Sequence, residues 1–312
     1  MLQIAMGAVI LGLLWALTTI GVYITYKILN IADLTVEGSI AMGAAIAARA
    51  IYSGMDPFKA TILAIIGGVL AGLATGLLHT KLRIPPLLSG ILTMIGLYSI
   101  NLRVLGKANQ SLLRLKTIYT VFGDLGIGKD RFSTQLGLGQ TLPVLAVAVL
   151  CVAITIFVLR WFFGTEIGYS LRSTGDNPRM SRSQGINTNS MIILGLMISN
   201  GLVAFSGALI AQQQAYADVQ MGTGSIVIGL ASVIIGEVLY ARRSFLSRLV
   251  AVVLGAITYR LIIALVLELG MPASDLKLFT AITVAIALAL PVFKSHWEPI
   301  KNSIRRRVDV TS

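Results

Sequence analysis

The chain has 312 residues, 56% of them apolar and only 12% charged, with a formal net charge of +12. Apolar runs near the ~20 residues needed to span a bilayer recur along almost the whole length, which marks an integral membrane protein and leaves no room for a separate soluble domain. The basic excess suits cytoplasmic loops against anionic lipid; it does not suit nucleic acid, because no basic face interleaved with aromatics is present.

Nine segments are predicted to cross, within an expected range of eight to ten: roughly 5–27, 34–52, 57–79, 85–105, 141–163, 191–213, 223–240, 249–267 and 277–293. The start, Met1-Leu2-Gln3-Ile4, lacks a basic region and the first run is long enough to span, so no cleavable signal peptide is expected. An odd count puts the termini on opposite sides, and charge decides which. Lys27, Lys81, Arg83, Arg160, Arg172, Arg179, Arg182, Arg242, Arg243, Arg248 and the tail Arg305-Arg306-Arg307 collect on one side. Most charges on the other side fall in one long loop, 106–140. The positive-inside rule therefore predicts an outer N-terminus, a cytoplasmic C-terminus and a cytoplasmic loop 164–190.

Gly38-Ser39-Ile40-Ala41-Met42-Gly43 recurs as Gly224-Ser225-Ile226-Val227-Ile228-Gly229. Both stretches open an apolar helix, and the predicted topology runs them in opposite directions. The chain is thus expected to be one transmembrane domain over 1–312: a first repeat half at 1–105, an outer loop, bridging helix and cytoplasmic loop at 106–190, a second half at 191–293, and a basic tail at 294–312. Inverted repeats of this kind place a transport pathway at their interface. Gly, Ser and Ile are common in membrane helices, so chance similarity competes with that reading.

The loop at 164–190 is polar between two apolar segments. Pro178 is tolerated at a first helical turn, so Asp176 or Asn177 is a candidate N-cap for a short helix running to about Gln184 and stopping at Gly185. A preceding helix from Gly168 to Ser173 would end at Gly175. Two short helices would form a knob; a solvated basic loop on lipid fits the spacing equally well. Here the pattern Gly168-x-x-Leu171-Arg172-x-x-Gly175-x-Asn177-Pro178, then Ser183-x-Gly185-Ile186, resembles the coupling loop of ABC-importer permeases of the branched-chain amino acid and ribose family. The stretch Ala32-Asp33-Leu34-Thr35-Val36-Glu37-Gly38-Ser39 and the segment Ile226 to Gly236 resemble the same family, so the likeness covers roughly residues 10 to 290. Glu37 stands where the sugar permeases run directly from Val to Gly, which weakens a sugar as solute.

The resemblance implies an all-α permease with a cytoplasmic coupling helix in a bacterial inner membrane. It also implies a cytoplasmic ABC ATPase dimer, an extracytoplasmic solute-binding protein and a second permease copy, expected to be identical. It assigns ATPase coupling to Gly168, Leu171, Arg172, Gly175, Asp176, Asn177, Pro178, Arg179 and Gly185. This chain carries no Gly-rich phosphate loop ending in Lys-Ser or Lys-Thr, so ATP and Mg are expected in the partner and no cofactor here.

Intramembrane ionisable groups are functional candidates by default. Glu37, Glu237 and Arg260 qualify, although Glu37 and Glu237 fall near predicted segment ends, where an interfacial role is the plainer reading. Arg260 lies deeper and is expected to face protein, water or another subunit. Ser39, Met42, Asn200, Ser225, Glu37 and Arg260 are the candidate pathway residues. Asn200 and Gln212-Gln213-Gln214 can equally bond across helices. Tyr216 and Asp218 sit at the outer mouth, where a docked binding protein would meet them. No metal-ligand cluster or nucleophile-base set stands out, since Cys151 has no nearby His or acid. The leading expectation is therefore a non-enzymatic importer subunit for a small solute, with an amino acid implied by the resemblance. An ion-coupled secondary transporter with inverted repeats is the alternative, weakened by acids placed near helix ends. A scaffold or intramembrane enzyme is a third.

Overall fold

The computed structural model describes residues 2–124, 141–240 and 244–269, with a few positions between 278 and 285. The described chain is almost wholly helical. Helix α1 (Leu2–Tyr23) continues into a π-helical turn (Ile24–Ile28). There follow α2 (Thr35–Tyr52), α3 (Pro57–Thr80), α4 (Pro86–Leu105), strand β1 (Asn109–Ser111), α5 (Ile118–Asp124) and α6 (Thr141–Phe162). Then come α7 (Glu166–Asp176), α8 (Pro178–Ser183), α9 (Thr188–Gln214), strand β2 (Tyr216–Asp218), α10 (Ser225–Tyr240) and α11 (Phe245–Glu268).

Local chemistry sets several ends. Asp56 caps α3 by accepting from the Phe58 amide at 2.9 Å, with Pro57 at the first helical position. Gly106 ends α4 at φ 73°, a left-handed conformation that glycine adopts without penalty.

Eight of the nine expected segments coincide with helices, and the ninth, 277–293, lies largely outside the described residues. Six helices are long and apolar enough to cross a membrane: the α1–π unit, α3, α4, α6, α9 and α11. The expected count of about nine full crossings is therefore not reached among the described residues. The two remaining segments, α2 and α10, are short and begin inside the bundle.

Helix α9 is the hub and packs on α3, α2 and α1. Glycines permit this closeness: a Cβ added at Gly43 or Gly72 would meet the backbone of Ala204 or Leu196 on α9. On the other flank, α1 packs on α11, α10 and α6.

The interior starts follow from contacts along α9. Asn200 lies near the middle of its 27 residues. Both Asp33, just before α2, and Ser39, in its second turn, hydrogen-bond to Asn200. Helix α2 then runs to the end that carries the β-ribbon, where Ala50 and Ile51 cluster with Leu105, Leu112 and Ala217. Helix α10 starts beside Glu37 and runs the opposite way. It reaches Glu237, which pairs with Lys27 at 2.9 Å at the far end of α1. From Ser225 to Glu237 the rise is about 18 Å at 1.5 Å per residue, or roughly half a hydrocarbon core of about 30 Å. Each of these segments is preceded by irregular chain, 29–34 in one case and 219–224 in the other.

Candidate translocation site and coupling surface

The two interior helix starts meet. Glu37 Oε1 accepts from the Gly224 amide at 3.0 Å, and a Cβ at Gly222 would strike the Glu37 carbonyl. The residue just before the first of the two similar motifs thereby contacts Gly224, the first residue of the second. Glu37, expected near a segment end, sits at about half-depth instead. The sequence shows only that an apolar run begins there, whereas tertiary contacts set how deep the run begins.

Behind this junction lies a closed polar network. Asn200 Nδ2 donates to Asp33 Oδ2 at 2.7 Å, and Ser39 Oγ donates to Asn200 Oδ1 at 2.7 Å. The Thr35 amide donates to Asp33 Oδ1, and the Thr35 and Thr75 hydroxyls lie 2.7 Å apart. All these side chains are buried. The network fastens α2 to α9 and α3, and its partners are satisfied within the chain.

In front of the junction opens a cavity of about 510 Å³, lined by Glu37, Gly38, Met94, Ile95, Tyr98, Asn101, Val219, Gln220 and Thr223. It faces the side of α4 on which Ile95 and Tyr98 are exposed. Asn101 Nδ2 donates to the Gly38 carbonyl at 3.2 Å, while its buried Oδ1 has no hydrogen-bond partner among the described residues.

The candidate pathway residues do not form one surface. Glu37 lines the cavity, but Ser39 and Asn200 are sealed behind it. Met42 packs beside Gly67 of α3. Ser225 opens α10 and is fully buried, with no partner for its hydroxyl among the described residues. Arg260 lies apart, stacked over Trp15 at 4.4 Å from the ring centroid. It lines a second cavity of about 420 Å³ with Ile4, Leu11, Ile263 and Glu268, among others. The partner that sequence left open is thus an aromatic face. Gln212 binds across helices, donating to Thr61 Oγ1 at 2.9 Å and accepting from the Ile118 amide at 3.0 Å.

The loop between α6 and α9 is helical, one of the two readings that its spacing left open. Asn177 is the N-cap of α8, accepting from the Met180 amide at 3.1 Å, with Pro178 next. Gly185 turns the chain at φ 82°. Helix α7 starts and ends slightly beyond the predicted limits, from Glu166 to Asp176.

The residues assigned to this loop divide into two groups. Gly168, Leu171 and Gly175 are buried against the rest of the bundle. Asp176, Asn177, Pro178, Arg179 and Gly185 are exposed, with Met180 at 51%. Arg172 belongs with the inner group. Its guanidinium sits 3.9 Å from the Phe245 ring centroid and 5.1 Å from that of Phe163. Burial there lowers its pKa from the ordinary value.

A mechanical link runs inward from this knob. Asn30 Nδ2 donates to the Gly175 carbonyl at 3.2 Å, and a Cβ on Gly175 would collide with the Ile28 carbonyl. Asn30 itself has φ 55°, a left-handed conformation that Asn tolerates better than most residues. Helix α7 thus rests on the irregular stretch that leads into α2. Ser181 Oγ donates to Ser173 Oγ, and Arg182 Nε to Thr188 Oγ1, tying α8 to its neighbours.

Residues 4–290 match the family model described as branched-chain amino acid transport system / permease component. The chain belongs to this permease family. It is 43% identical over 278 residues to the tyrosine transport system permease protein of Clostridioides difficile (strain R20291), covering 89% of this chain and 88% of that one. It is 32% identical over 274 residues to an uncharacterized protein of Rickettsia prowazekii (strain Madrid E), covering 86% and 91%. The autoinducer 2 import system permease protein LsrC of Yersinia pseudotuberculosis (serotype O:1b, strain IP 31758) is 26% identical over 242 residues, covering 77% of this chain and 64% of LsrC. No solved structure matches.

For this ABC permease, sequence reasoning picked out Glu37 but not Tyr98, Asn101, Gln220 or Thr223, which share its cavity. Asn101 carried a usable signal, being a lone amide in the apolar α4. Asp33 appeared only within a motif, and nothing in the sequence connects it with Asn200, which lies 167 positions away.

Proposed function

We propose that this permease imports an amino acid, tyrosine or one like it, using ATP hydrolysed by a separate cytoplasmic ATPase dimer. A solute-binding protein delivers the solute to the opposite face. The 43% identity to a tyrosine transport permease supports the substrate class. The charge bias of the loops supports an outer N-terminus and a cytoplasmic knob α7–α8, in a bacterial inner membrane.

The observation that carries the mechanism is the contact of Gly175 with Ile28 and Asn30. A nucleotide-driven cleft that grips residues 176–185 would push α7 against the chain entering α2. Through Asp33, Asn200 and Ser39 that motion reaches the junction of α2 and α10. Helices α2 and α10 run oppositely from one point, as the inverted repeat requires. Rocking one half against the other would then open the cavity alternately to each side.

A second copy of the chain belongs on the α4 side. Glu37, Gln220 and Thr223 open there near half-depth, and polar groups at that depth face protein or water rather than lipid. The two copies would enclose the pathway between them.

Co-purification with a candidate ABC ATPase tests the proposal. Asn177→Ala combined with Met180→Asp should abolish the complex and the solute-stimulated ATPase while the permease itself stays folded. Retention of both activities would remove the knob from the docking surface.

A further inference from the structure

We propose that the cavity between Glu37 and α4 is a binding site for the primary ammonium group of the transported solute, with Glu37 as its counter-ion. This rests on the reading of the chain as an amino acid permease and assigns the residue that recognises the charged end.

Three observations lead there. Glu37 lies near half-depth, lines an open cavity, and has no cationic partner among the described residues. Among the described residues only its Oε1 is engaged, by the Gly224 amide at 3.0 Å, so Oε2 remains to accept a bond. Asn101, which is 1% exposed, sits in the wall of the same cavity with its Oδ1 unpartnered. The orientation of that amide is fixed, because Nδ2 must face the Gly38 carbonyl. Glu37 Oε2 is thus a carboxylate oxygen that lacks a donor at an open cavity, with a buried amide oxygen in the wall beside it. An ammonium offers three donors and a positive charge.

The remaining wall suits the rest of such a solute. Met94, Ile95, Tyr98 and Val219 supply apolar and aromatic surface, and a volume of about 510 Å³ accommodates a single amino acid. Lys and Arg are absent from this lining, so nothing there competes for Glu37. A purely structural role for Glu37, capping the start of α10 through Gly224, would need a hydrogen-bond acceptor but no charge. Gln supplies that acceptor without the charge, which separates the two roles.

Saturation-transfer difference NMR on the full-length chain in lipid nanodiscs reads the weak binding such a site would have. The probes share one ring: L-tyrosine carries both ammonium and carboxylate, tyramine only the ammonium, and 3-(4-hydroxyphenyl)propionate only the carboxylate. Tyrosine and tyramine should bind and the deaminated acid should not. Glu37→Gln should weaken both amines about 10- to 100-fold, with an unchanged thermal midpoint. Equal binding of the deaminated acid would overturn the assignment, as would unaltered tyrosine binding by Glu37→Gln. So would absence of tyrosine binding to the unaltered chain at millimolar concentration. Formation of the ATPase complex in the co-purification above involves neither Glu37 nor solute contact, so failure here leaves the importer reading standing.

Discussion

Replacing Asn200 by Leu, the nearest apolar shape, removes both bonds that fasten the start of α2 to α9. Ser39 loses an acceptor at 2.7 Å and Asp33 loses a donor at 2.7 Å, all at fully buried positions. A neutral side-chain bond between membrane helices averages about 0.6 kcal/mol. A bond to a charged group is worth about 1.5–3 kcal/mol. The substitution should therefore cost about 2–4 kcal/mol. Ser39→Ala breaks only the neutral bond and should cost under about 1 kcal/mol. Reversible unfolding of the purified chain in mixed micelles, followed by circular dichroism, measures both. Equal costs for the two variants, each below about 1 kcal/mol, would refute the role given to Asp33 in holding α2 at this depth.

Three other substitutions probe the frame. Gly175→Val places a branched side chain against the Ile28 carbonyl and should separate α7 from the chain entering α2. The ATPase should still co-purify, but solute should no longer stimulate hydrolysis; stimulation at the usual level would disconnect this contact from coupling. Arg172→Lys keeps the charge but loses the flat face stacked on Phe245, and should lower stability by about 1 kcal/mol in a thermal-unfolding assay. Glu237→Gln breaks an ion pair whose lysine is 45% exposed, so unfolding should change by less than about 1 kcal/mol.

Much of the architecture is legible because hydrophobicity is a local signal. Each long apolar run within the described residues became a helix, and the Asn177-Pro178 pair with Gly185 fixed α8 almost to the residue. What escaped was depth. An apolar run of 16 or 18 residues reads as a crossing, yet α10 and α2 begin partway through the bundle. Their starting points are set by Asn200 and by Gly222 against Glu37, contacts that join distant parts of the chain. The same gap explains Glu37 being assigned to an interface. It also explains Arg172 being read as a docking residue alongside Asn177. Its ring partners, Phe163 and Phe245, belong to different parts of the chain, and no local pattern announces that they converge.

Placing Glu37 at half-depth also removes one objection to ion-coupled transport, which needs an acid in that position. The deciding measurement is uptake of labelled tyrosine into liposomes holding the permease, its ATPase and the solute-binding protein. The account predicts uptake that requires ATP on the side of the α7–α8 knob and persists when ionophores collapse proton and sodium gradients. Uptake driven by such a gradient through the permease alone, without ATP or the ATPase, would contradict it.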